Sequence, residues 1–110
     1  MTIQYKNAGF SLDTTSVKTL FTCPTSGVAI IKSILIANDH SSDVAVKAAL
    51  NDGTTYQFYQ KTLTSDSSDN AVSGVLNLEA GDAVTAEANV SNVVTGVINY
   101  ALIDRSQENG

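Results

Sequence analysis

The run Val28-Ala29-Ile30-Ile31-Lys32-Ser33-Ile34-Leu35-Ile36-Ala37 is the most continuously apolar stretch of this chain, is rich in β-branched residues, and is bracketed by Gly27 and Asn38. Branching at Cβ favours the pleated backbone over the helix, so the run reads as a long central strand. Strict alternation divides it into Ile30, Lys32, Ile34 and Ile36 on one face and Ala29, Ile31, Ser33, Leu35 and Ala37 on the other. The first set is almost wholly apolar and the second partly so. Such a strand belongs in the middle of a packed sheet.

Upstream, residues 17–22 alternate Val17, Thr19 and Phe21 with Lys18, Leu20 and Thr22, and Cys23-Pro24-Thr25-Ser26-Gly27 supplies a turn. These residues are expected to pair antiparallel with the central strand. Downstream, the polar loop 38–43 precedes alternating Val44, Val46, Ala48 and Leu50, expected to return beside it. Asn51-Asp52-Gly53 is a hairpin signal, because these residues tolerate positive φ, and it leads into a strand over 54–63. There Tyr56 and Phe58 share a face with Gln60, and Tyr59 points the other way.

Residues 64–70 form the longest polar, low-complexity stretch and the expected exposed tip. Residues 71–78 and 83–88 read as an antiparallel pair across the turn Glu79-Ala80-Gly81-Asp82, and residues 93–103 as the last strand. The alanine-rich segments carry helix propensity, but alternation with Val and Thr between Gly and Asn turns overrules it. The expected organisation is an N-terminal arm over 1–9, a β-sandwich over 10–103 and a polar tail over 104–110. About eight strands at this spacing give an all-β, antiparallel sandwich of Greek-key or jelly-roll wiring.

One hundred and ten residues suit a single domain, and 43% hydrophobic residues exclude a disordered chain. Only 15% of residues are charged, which leaves surface to be covered by something else. A net charge of −5 repels phosphate backbones and anionic lipid, so neither nucleic acid nor membrane is an expected partner. The first residues lack the basic start and apolar block of a signal peptide, so synthesis and folding in a cytoplasm are expected. Cys23 is the one cysteine, which rules out an internal disulfide.

Chemistry-bearing constellations are sparse. His40 is the one histidine, and Asp39, Ser41, Ser42 and Asp43 beside it are loop neighbours without the fixed geometry that a relay needs. One His and one Cys do not make a zinc site. Neither Asp39 with Asp43 nor the 66–70 loop has the glycine turn and closing glutamate of an EF-hand. Cys23 has no basic neighbour to activate it and reads as a structural thiol. No catalytic residue, metal or cofactor is expected. The Tyr56, Phe58, Tyr59 cluster reads as core and edge packing that leaves Tyr56 or Tyr59 open to a subunit or a ligand.

The pattern Thr14-Thr15-Ser16-Val17-Lys18-Thr19-Leu20-Phe21-Thr22-Cys23-Pro24, then the run 29–38, then Leu76-Asn77-Leu78-Glu79-Ala80-Gly81-Asp82 before two alternating strands, resembles small β-sandwich virion proteins of tailed bacteriophages, marine ones especially. The likeness covers residues 10 to 103 and carries no catalytic signature. It implies a non-enzymatic structural part of a virion, foremost a decoration or cement protein on the capsid exterior, bound to the major capsid protein lattice and forming a homo-oligomer. Tail, collar or baseplate placement is the alternative, and a host-glycan adhesin using Tyr56 or Tyr59 and the 64–70 loop is a third. Ile3, Tyr5 and Phe10 are the expected anchors, because apolar residues outside regular strands are easily buried only against a partner.

Overall fold

A computed structural model describes residues 2–104. It contains β1 (Thr2–Leu12), β2 (Lys18–Thr22), β3 (Gly27–Asn38), β4 (Val44–Asn51), β5 (Thr55–Leu63), β6 (Ser68–Asn70), β7 (Leu76–Leu78), β8 (Ala83–Ala88) and β9 (Val94–Asp104). Two antiparallel sheets face each other, one in the order β1-β9-β3-β6 with β7 also on β3, the other in the order β2-β8-β4-β5.

The wiring is a hairpin ribbon rolled up on itself. Its tip joins β4 to β5, and outward from the tip β3 pairs with β6 and β7, β2 with β8, and β1 with β9. The β3–β9 and β4–β8 pairs then complete each sheet. The fold is therefore an all-β, jelly-roll-like sandwich. The hairpin at Asn51-Asp52-Gly53 forms where expected, with Gly53 at φ 107 and its N–H donating to Asn51 Oδ1 at 2.9 Å.

Rolling the ribbon changes several expected neighbours. β2 pairs with β8 and not with the central strand, β4 lies in the sheet opposite β3, and residues 71–78 do not pair with β8. The reason is topological: the segments 23–26 and 39–43 carry the chain from one sheet to the other, so strands adjacent in sequence are not adjacent in space. Residues 2–9, expected as an arm, are the first part of β1 and run in unbroken register with β9 from Thr2↔Asp104 to Leu12↔Val94. Backbone pairing, for which their sparse apolar residues gave no signal, fixes them. Residues 105–110 of the expected tail lie outside the described residues, and Asp104 ends β9.

The largest difference lies inside the central strand. Ile31 faces Tyr100 and Ser33 faces Asn99 on β9, which leaves Lys32 as an unpaired bulge residue. One extra residue reverses the alternation beyond it. The buried face takes Ala29 and Ile31 before the bulge and Ile34, Ile36 and Asn38 after it. Both alternating sets looked apolar because each supplies half of the core. Phe58 on β5 is a second such residue, since Ala48 faces Tyr59 and Ala49 faces Gln57; Phe58 and Tyr59 both pack against the core.

Leu12, Ile34, Val44, Val46, Leu63, Val84, Val94 and Ile98 fill the space between the sheets, with Phe21 and Tyr100 in ring contact at 4.4 Å. Burying each large aliphatic side chain contributes roughly 1.5–3 kcal/mol. Asn38 is the most deeply buried polar side chain among the described residues and is fully engaged: Nδ2 donates to the carbonyls of Ser42, Leu63 and Thr64 at 3.0–3.1 Å, and Oδ1 accepts from His40 N–H at 2.9 Å. It ties the end of β5 and the loop 39–43 to the end of β3.

Candidate interaction surface

The inner faces of the sandwich satisfy each other, so any apolar surface left over lies on an outer face or an edge. The outer face of the β1-β9-β3 sheet gathers Ile3, Tyr5, Leu35 and Val97, whereas Val17, Tyr56 and Val75 are exposed elsewhere. Strand register sets rows across this face: Ile3, Ile103 and Val28; Tyr5, Ala101 and Ile30; Asn7, Asn99 and Ser33; then Gly9, Val97 and Leu35. The Asn7 row is polar, with Asn99 Nδ2 donating to Ser33 Oγ at 2.8 Å, and apolar rows flank it. Tyr5 is 74% exposed, Ile3 52% and Leu35 47%. The bulged Lys32 places its ammonium 4.7 Å from the Tyr5 ring centroid, a cation–π contact that steadies an otherwise free ring.

The five expected contact residues thus separate into different settings. Ile3 and Tyr5 stand together on this outer face, two residues apart on β1. Phe10 is on the opposite side of β1: it faces Gly96, packs against the core, and lies where a Cβ on residue 96 would meet its ring. Tyr56 is exposed near the β4–β5 hairpin. Tyr59 is half-buried at the seam between the sheets, its hydroxyl donating to Asp69 Oδ2 at 2.9 Å, and Lys61 Nζ reaches the same oxygen at 3.4 Å. Burial and the Asp69 partner push the Tyr59 phenol well above its ordinary range. The donated hydrogen bond, helped by Lys61, holds the Asp69 carboxyl below its own.

Leu35, Val97 and Lys32 are surface members that sequence reasoning did not single out. The signal was present in the second alternating set of the central strand, but strict alternation assigned Ile31 and Leu35 to one face, and the bulge at Lys32 separates them.

The four sheet edges differ as sharply as the faces. One edge is broken into β6 and β7, three residues each. β2 is five residues long and bulged at Leu20, and β5 is bulged at Phe58 and carries Lys61. β1 is eleven residues long, unbulged, without proline, and has Lys6 as its one charge. Bulges, short strands and lysines are the usual guards of an edge; β1 has almost none.

The remaining reactive groups are quiet. Cys23 is buried, its Sγ within 3.6–3.8 Å of the carbonyls of Pro24, Gly27 and Leu78, and burial followed by the charge of Asp82 pushes its thiol up. Among the described residues no group of three or more His, Cys, Asp or Glu side chains is placed to hold a metal ion. No helix there is long and apolar enough to cross a membrane.

No protein-family model and no curated protein matches the sequence. Solved structures share the fold. The chain is similar to a chain of the acidic stable capsid of Helicobacter pylori bacteriophage KHP30, with TM-score 0.60 and 18% identity over 96% of this chain and 90% of that one. It is similar to a protein of the Bacillus endospore appendages that form disulfide-linked pili, with TM-score 0.55 and 10% identity over 92% and 84%. A third likeness, with TM-score 0.55 and 9% identity, is to a chain of the T13 IBDV viral particle, 93% of this chain against 31% of that one. At these identities the likeness establishes a jelly-roll sandwich shared with viral capsid proteins, and nothing finer.

Proposed function

We propose that this chain is a non-enzymatic structural protein of a tailed-phage virion, a capsid decoration protein that lies on the major capsid protein lattice through the outer face of its β1-β9-β3 sheet. The observation that carries the reading is the outer face itself: Ile3, Tyr5, Leu35 and Val97 stay exposed on a sandwich whose core is already complete. A surface of this kind is stable in water at a cost and is useful when a neighbour covers it. The sandwich shared with the KHP30 capsid chain supports placement in a shell. Many copies of a modest contact, arrayed by symmetry, add up to firm attachment.

Removing residues 1–8 would take away most of the pairing between β1 and β9, so point changes on the outer face are the sound test. The double variant Ile3→Asp with Tyr5→Asp is expected to fold and to lose its place on purified particles, read as copies per particle. Retention at wild-type occupancy refutes the contact. Hundreds of copies per particle correspond to a capsid lattice, and a dozen or fewer to a tail, collar or baseplate ring. The exposure of Tyr56 favours one other reading, a glycan-binding module; Tyr56→Ala lowers host-cell binding on that reading and leaves it unchanged on ours.

A further inference from the structure

We propose that β1 pairs edge to edge with β1 of a second copy, antiparallel, across a two-fold axis through Tyr5. The edge is built for it. Ser11 O accepts from Lys18 Nζ at 2.7 Å while Leu12 O accepts from Asn92 N–H on the β9 side, so the odd-numbered residues turn their backbone groups away from β9. Register is unbroken, so Ile3, Tyr5, Asn7 and Gly9 each present an N–H and a C=O to the open side, and among the described residues β1 pairs with β9 alone. Lys18 guards Ser11 only; residues 3–9 are left available.

Charge disfavours one register, and contact between the exposed Tyr5 rings favours another. A two-fold axis through Lys6 sets Lys6 directly against its own copy, which like-charge repulsion disfavours. An axis through Tyr5 sets Lys6 against Gln4 of the second copy, Ile3 against Asn7, and Tyr5 against Tyr5, and closes about six backbone hydrogen bonds. Gln4 and Lys6 are both exposed, so the facing pair is free to form. The same pairing makes the two outer faces continuous, with Ile3 and Tyr5 of both copies at the middle of one doubled apolar surface. A second copy is therefore the occupant that this edge fits, and the pairing holds whether or not the chain sits on a capsid.

The test uses the whole purified chain. Sedimentation equilibrium is expected to show a dimer. Gln4→Glu, which faces Lys6 with a negative charge, tightens it several-fold, and Gln4→Lys loosens it several-fold. Under mild oxidation Tyr5→Cys is trapped as a disulfide dimer. Asn7→Cys is not, because its copies lie about 14 Å apart in this register. The native Cys23 is buried and does not compete. A monomer at all concentrations, Gln4 variants that shift the dimer in the same direction, or Asn7→Cys linking as readily as Tyr5→Cys overturns the proposal. Particle occupancy is a separate readout, so failure here leaves the virion reading to its own test.

Discussion

The two long edge strands of this sandwich, β1 and β5, meet the same physical problem in opposite ways. β5 is bulged at Phe58, leans Tyr59 and Lys61 onto Asp69 of the facing sheet, and has its last carbonyl, Leu63, held by Asn38. β1 is anchored at one end, where Leu12 is buried and Phe10 lies against Gly96, and runs on for residues 3–7 exposed. A closed edge costs hydrogen bonds and a bulge and gives up partner pairing. An open edge keeps that pairing, at the risk of indiscriminate association. The contrast locates the part of the molecule that is free to meet a neighbour.

The contrast can be broken from the closed side first. Asn38→Leu removes four hydrogen bonds in a buried site and releases the end of β5, and is expected to cost about 4 kcal/mol of stability in urea unfolding. Gly96→Ala attacks the anchored end of β1: the new Cβ collides with Leu35 O and the Phe10 ring. The expected loss is about 3 kcal/mol, with faster amide exchange along β1 than along β5.

Tyr59→Phe opens the seam at a smaller cost, about 1 kcal/mol near neutral pH. Its pH profile carries the sharper information. Asp69 titrates below its unfolded value, so its contribution is full above the ordinary carboxylate pKa of about 4 and fades as pH falls through the folded one. Tyr59 titrates above its unfolded value, so its contribution is full below about pH 10 and fades as pH rises. Wild-type stability should therefore sag at both ends, and Tyr59→Phe should flatten each side in part, because the raised Cys23 thiol still titrates on the alkaline side and Lys61 still pairs with Asp69 on the acid side. Smallest of all, Tyr5→Asp on the open strand should change stability by less than about 0.5 kcal/mol while weakening attachment to particles.

The sequence made the sandwich legible because a β-branched apolar run marks β3, alternation marks β4 and β9, and Asn51-Asp52-Gly53 marks its hairpin without ambiguity. Partners were less legible, since pairing in a rolled ribbon depends on distant residues and the reading favoured near ones. The bulges at Lys32 and Phe58 leave no mark in composition, yet they decide which side of the sheet Leu35 and Tyr59 occupy. Ile3 and Tyr5 stood out as apolar residues with no stripe to join, which drew notice to the right strand under a different description, an arm. Phe10 looked equivalent to them and is not, because alternation along β1 turns it inward onto Gly96.

The most direct test is an image reconstruction of the virion that carries the chain, resolved well enough to place strands. The outer face of the β1-β9-β3 sheet, with Ile3 and Tyr5 on its edge strand, is predicted to be buried against the capsid lattice, with β1 hydrogen-bonded along its open side. Density that leaves this face bare to solvent and β1 unpaired, with the contacts made elsewhere on the sandwich, would contradict it.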